Sequence, residues 1–250
     1  MSTDQPTLVQ FRFSHYNEKA RWALDYKGVA HRKRILIPGF HKRTLRRLGA
    51  KTTPYLIHGD TGYGDSTDII AALENRYPDP ALYPADLEQR QQALQLEDLF
   101  DEKLGPQVRS VIFFLALAHP EYFAATFAGH RSSPIKWMYS CAITLIRSGL
   151  KKDMNLVLET FEKDLEEIHA VLARIEKQLD GGDYLVGNCF SVADLTGAAL
   201  LSPLCLPAES PDLPVGKVPA VITSFVKDLE EQSKVLDWAR EMYRRHRPVA

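Results

Sequence analysis

The sequence predicts two domains in order, an α/β domain and then an all-helical one. Three observations carry this. Before residue 77, short apolar strand-like runs alternate with helical stretches. The join Tyr77-Pro78-Asp79-Pro80-Ala81-Leu82-Tyr83-Pro84 is rich in proline, which discourages helix. Beyond it no strand pattern recurs, only long stretches with apolar residues three or four apart. A chain of 250 residues, 45% hydrophobic, can bury two modest cores. We set the domains at about residues 1–80 and 81–250.

The elements follow in order. Leu8-Val9-Gln10-Phe11-Arg12-Phe13 reads as a strand, and Ser14 is placed to begin a helix, since its side-chain oxygen can accept from a free backbone N–H. Tyr16, Ala20, Ala23, Leu24 and Lys27 keep helical spacing, and Gly28 sits where a left-handed residue ends a helix. Arg32 to Ile37 is a second strand. The basic cluster His41-Lys42-Arg43 with Arg46-Arg47 follows in a loop or helix, reading first as a solvated face. Thr52 to Ile57 is a third strand with Pro54 near its start, where a missing N–H does least harm. Gly59-Asp60-Thr61-Gly62 reads as a turn. Asp65-Ser66 then opens a helix running through Ile69, Ile70 and Leu73. In the second domain Leu158, Phe161, Leu165, Ile168, Leu172, Ile175 and Leu179 mark one long amphipathic helix. Ser191-Val192-Ala193-Asp194 is a capping box, flanked by Phe190 and Leu195 as a hydrophobic staple, and its role is structural.

Four of these motifs, in this order, resemble the glutathione transferase family: Ser14 to Arg21, Thr53-Pro54, Asp65-Ser66, and Tyr184 to Asn188 running into Phe190 to Leu195. The resemblance implies a thioredoxin-like first domain of the cytosolic type with a serine active site. Ser14 would then meet the sulfur of glutathione, with Tyr16 as the rival donor. It implies a cis bond at Pro54 that turns the Thr53 backbone toward the cysteinyl part of glutathione, and a γ-glutamyl site at Asp65 and Ser66. Asp65 stands where Glu or Gln is commoner. His41 or Lys42 would reach the glycyl carboxylate. Asn17 occupies the place where redox relatives keep a second cysteine, so disulfide exchange there has no nucleophile.

The stretch from Gly105 to Met154 is rich in aromatics. Phe113, Phe114, Tyr122 and Trp137, with Phe123, Phe127 and Tyr139, are candidates for an apolar electrophile pocket; the same spacing also suits plain core. The resemblance further implies a detoxification enzyme, glutathione as co-substrate with no tightly bound cofactor, a small apolar electrophile as the other substrate, and a homodimer. A narrower glutathione-dependent lyase, dehalogenase or isomerase, or a non-catalytic binding or scaffold protein of the same fold, remains open.

Composition bounds the rest. A formal net charge of −1 gives no reason to expect nucleic acid or an anionic membrane as partner. Cys141, Cys189 and Cys205 are odd in number and lack Cys-x-x-Cys spacing, which suits reduced thiols in the cytoplasm. Met1 to Pro6 is polar, unlike a secretory leader. The runs Val111–Ala118 and Trp137–Ile146 fall short of the ~20 residues of a membrane span. His119, His130 and His169 lack metal-ligand spacing, and we expect no metal.

Overall fold

The computed structural model describes residues 5–129, 131–214 and 216–248. His130 and the polar start before Gln5 lie outside the described residues. The chain opens β1 (Thr7–Phe11), α1 (His15–Tyr26), β2 (Arg32–Leu36), α2 (Lys42–Arg47), β3 (Tyr55–His58), β4 (Thr61–Gly64) and α3 (Ser66–Arg76). The strands form one mixed sheet in the order β2-β1-β3-β4. β1 runs parallel to β2, pairing Leu8 with Lys33, and antiparallel to β3, pairing Leu8 with Leu56. The fold is thioredoxin-like, βαβαββα, followed by an all-helical domain.

Side chains alternate across this sheet. Leu8 and Leu56 join Ala20, Ala23 and Leu24 of α1 and Ile69, Ile70 and Leu73 of α3 in the main core. Val9, Leu36 and Leu45, with Tyr55 and Ile57 against them, make a small core under α2 on the other face. The expected turn at 59–62 is half a turn and half a strand. Thr61 and Gly62 pair with His58 and Ile57, extending the sheet by β4. Gly62 leaves room there for the Tyr55 ring, whose hydroxyl end a Cβ would displace.

The second domain holds α4 (Leu87–Lys103), α5 (Gly105–Ala116), α6 (Pro120–Ala128), α7 (Ser133–Asp153), α8 (Leu158–Leu179), α9 (Val192–Cys205), α10 (Ala220–Gln232) and α11 (Val235–His246). α9 is apolar all round and buried, the pattern of a helix with neighbours on every side. It packs on α1, α4, α5 and α11, and so ties the two domains together. Asp194 sets its start. The carboxylate accepts from the Ser191 N–H and hydroxyl, each at 2.9 Å, and from the Leu185 N–H at 2.7 Å. No helix of the described residues is long and apolar enough to cross a membrane.

Candidate active site

A cavity of about 490 Å³ lies between the domains. Phe11, Phe13, Ser14 and His15 from the β1–α1 junction line it, with Pro38, His41 and Leu45 around α2 and Lys51, Thr52 and Thr53 before β3. The helical domain contributes Arg109, Ile112 and Phe113 of α5, Phe127 of α6, and Leu150, Asp153 and Met154 at the end of α7. The 202–213 segment closes it, with Pro203, Leu206 and Asp212 among its walls.

Ser14 has extended backbone at φ −155°, ψ 125°, and its carbonyl accepts from the Glu18 N–H at 2.8 Å. Its hydroxyl makes no capping bond, so the side chain is left to the cavity. Tyr16 is committed elsewhere. Its hydroxyl donates to the Asp101 carbonyl at 2.7 Å, and burial, then the Asp101 carboxylate, raise its pKa. Gly105 makes room for this ring, since a Cβ there would strike the phenol.

His15, which sequence reasoning left unassigned, is buried beside Ser14. It faces the Gly105 carbonyl at 3.0 Å, so Nε2 carries the hydrogen. Burial, then the Arg109 charge, lower its pKa to about 3 against the pull of that carbonyl. The imidazole is therefore neutral near pH 7, and supplies no full charge to a neighbouring anion. Arg109 was also missed. It reaches the cavity one turn before Ile112 and Phe113, and its charge is felt at both His15 and Tyr16.

Two carboxylates in the lining are already paired. Glu18 accepts from Arg21 Nε at 2.8 Å and from Arg247 Nε at 2.7 Å. Burial pulls its pKa up, but the two guanidinium groups outweigh that and hold it low. Asp212 pairs with Arg12 at 2.6 Å and Arg21 at 3.3 Å, fastening the 207–213 segment to the β1–α1 junction and to α1.

The Thr53–Pro54 peptide is cis, and the Thr53 hydroxyl accepts from Asn17 Nδ2 at 3.3 Å. Asp65 is the N-cap of α3; its carboxylate accepts from the Thr67 N–H at 3.0 Å. Its backbone sits at φ 129°, a region L residues rarely occupy and a form of strain found at functional sites. Ser66 is buried beside it. Neither residue lines the cavity itself. His41 does, and burial, then Lys42, lower its pKa, whereas Lys42 is exposed and outside the lining.

The aromatic set divides. Phe113 and Phe127 face the cavity. Phe114 does not: it points toward α8, its ring 4.8 Å from that of Phe161. Tyr122 and Phe123 line a smaller adjoining pocket that shares Phe13, Ile112, Phe113 and Phe127 with the cavity. Trp137 is 72% exposed on the outside of α7, and Tyr139 is buried on its inner side. Phe114 and Trp137 are therefore withdrawn from the pocket, while Tyr122 stands in its adjoining recess. Periodicity put them on helices, but the face each helix turns inward is set by tertiary packing.

Among the described residues no three or more His, Cys, Asp or Glu side chains gather to hold a metal ion. The three cysteines are free, and burial pushes the Cys205 thiol up to about 12.

Comparison with known proteins agrees with this architecture. Residues 8–81 match the family model "Glutathione S-transferase, N-terminal domain" and residues 140–233 the model "Glutathione S-transferase, C-terminal domain". A glutathione S-transferase of Triticum aestivum is 28% identical over 106 residues, which are 42% of this chain and 50% of the relative. The chain spans about half the length of the curated relatives it matches. The fold of the glutathione transferase GSTFuA3 from Phanerochaete chrysosporium superposes with a TM-score of 0.68 at 18% identity, covering 100% of both chains. A glutathione S-transferase from Methylobacillus flagellatus with glutathione bound superposes at 0.62 and 18% identity, covering 98% of this chain and 100% of that one. With both domain models matched in the family's order on the family's fold, the chain belongs to the glutathione S-transferase family.

Proposed function

We propose that this protein is a serine-type glutathione transferase that ionises the thiol of glutathione at Ser14 and directs it at an apolar electrophile in the interdomain cavity. The observation that carries this reading is the free Ser14 hydroxyl at the head of α1, next to a tyrosine whose own hydroxyl is spent on a backbone carbonyl. A free thiol of pKa about 8.5 is only a few per cent ionised at neutral pH, and lowering it by two units corresponds to about 2.7 kcal/mol of thiolate stabilisation. A hydroxyl donor and the free N–H groups of α1 supply this by hydrogen bonding to sulfur in a partly dry site.

Residues 1–80 would hold glutathione: Thr53 and Pro54 its cysteinyl part, Asp65 and Ser66 its γ-glutamyl end, and His41 its glycyl carboxylate, with Lys42 outside the cavity. Residues 81–250 would supply the electrophile wall from Phe113, with Ile112, Phe127 and Met154 beside it. Serine is not the nucleophile; glutathione sulfur attacks by substitution or addition.

The test is Ser14→Ala, read by the ultraviolet titration of bound thiolate. We expect glutathione still to bind, its thiol pKa to move back toward the free value, and the rate near pH 7 to fall roughly tenfold to a hundredfold, recovering at high pH. Tyr16→Phe should leave that titration in place. Full activity and an unchanged titration in Ser14→Ala would move the role to another donor. The same reading makes the assembly a two-fold homodimer, and light scattering should give about twice the 28.3 kDa chain mass.

A further inference from the structure

The near-neutral total charge hides a sharp segregation. Residues 26–59 contain no Asp or Glu, and neither do residues 122–152. The structure lays these two acid-free stretches side by side. Arg131, just before α7, donates to the Ile35 carbonyl of β2, the Phe40 ring stands 6.2 Å from that of Tyr139, and Gly39 sits against Ile146. Farther along, Leu45 of α2 and Leu150 of α7 border the same cavity. Both neighbouring elements carry exposed cations, Lys42, Arg43, Arg46 and Arg47 on α2 and Lys136, Lys151 and Lys152 on α7.

α7 itself is turned inside out. Its inner side packs through Tyr139, Ile143 and Ile146, yet its outer side is apolar too: Trp137 is 72% exposed, Met138 46% and Leu145 79%. Met138 and Leu145 are two turns apart and so share one face, with Trp137 beside them. Phe40, 49% exposed, adds a fourth apolar side chain at the seam with α2. We propose that this side is a docking surface for an anionic lipid bilayer, α7 lying in the interfacial plane with Trp137, Met138 and Leu145 among the acyl chains and the flanking cations on the headgroups. Apolar side chains, a tryptophan and lysines on one surface helix are what such a plane takes up.

Charge decides between occupants. A second copy meeting this face across a two-fold axis would set cation against cation. A nucleic acid would use the cations but gives exposed Leu145 and Met138 nothing to bury against.

The experiment is co-sedimentation of the full chain with vesicles of phosphatidylcholine alone or mixed with phosphatidylglycerol, alongside tryptophan emission. We expect binding to the anionic vesicles only, a blue shift that Trp137→Phe abolishes, and release by about 0.5 M salt. The double variant Met138→Glu, Leu145→Glu should not bind, and Lys151→Glu with Lys152→Glu should bind roughly tenfold or more weakly, each melting as the parent does because the positions are exposed. Lack of binding to anionic vesicles overturns the proposal, as does equal binding to neutral ones or binding unchanged in the Met138/Leu145 variant. Retention of duplex DNA with no vesicle binding would assign the face to nucleic acid, and a dimer broken by Leu145→Glu with no vesicle binding would assign it to a second copy.

Discussion

At the scale of single residues, the cleft sorts polar groups by whether their bonds are already spoken for. Tyr16, His15, Glu18 and Asp212 each have protein partners, while the Ser14 hydroxyl makes no capping bond. Asp65 is a mixed case, because its carboxylate caps α3 through the Thr67 N–H while its backbone sits at a strained φ of 129°. In the proposed roles Asp65 and Ser66 handle the end of glutathione remote from sulfur. Asp65→Ala and Ser66→Ala should therefore raise the Michaelis constant for glutathione and leave turnover at saturation nearly unchanged. A fall in turnover with an unchanged Michaelis constant would contradict those roles. Asp65→Ala should also cost about 1 kcal/mol of stability through the lost cap, and a melting curve separates this from the binding effect. Local chemistry made the position of Ser14 at the head of α1 legible in the sequence, since a serine between a strand and a helix announces a helix start, although the side-chain cap it suggested is not formed. Arg109 and Asp212 were not legible, because each reaches the cavity only after a distant helix or loop has docked.

At the scale of elements, α9 shows how one carboxylate can fix a helix that both domains pack upon. Burial pushes the Asp194 carboxyl up from 3.8 to about 6, while the Leu185 and Ser191 donors pull the other way. Asp194→Ala should lower stability by about 1–2 kcal/mol at neutral pH, with activity per folded molecule retained. The pH dependence has a definite sign. Between about 4 and about 6 the folded state keeps a proton that the unfolded chain has released, so the contribution of this group falls as pH rises and is flat outside that window. Measured against Asp194→Asn, which does not titrate, the parent should lose about 2–3 kcal/mol across that range in urea unfolding. A difference that stays constant with pH would show that the carboxylate is ionised throughout. This cap, the long apolar repeat of α8 and the glycine at the end of α1 could all be read in advance, because each is a contiguous pattern. β4 could not. Thr61-Gly62-Tyr63-Gly64 has the composition of a turn, and becomes a strand only because β3 offers an edge to pair with.

At the scale of the whole molecule, the two domains are locked by buried charge as well as by α9. Lys19 of α1 reaches Glu97 at 2.8 Å and Asp101 at 2.6 Å on α4, and donates to the Thr67 hydroxyl of α3 at 2.9 Å. Lys19 and Glu97 are fully buried. Burial raises the Glu97 pKa above 4.5, and Lys19 opposes that rise. Removing the cation in Lys19→Met would leave two close carboxylates unpaired, so we expect a loss of about 3–5 kcal/mol near pH 8. The sign again follows from linkage. Without Lys19 the folded-state pKa of Glu97 climbs further above its unfolded value, so the folded variant holds a proton that the unfolded chain releases, and the penalty grows as pH rises above about 4.5. Urea midpoints should therefore differ little between parent and variant near pH 4.5 and widely near pH 8. An equal deficit at both would mean that lost packing of the lysine stem, rather than unpaired charge, holds α1 to α4. Because α1 also carries Ser14 at its head, the variant that loosens this lock should lose glutathione-dependent activity on heating before its helical signal melts.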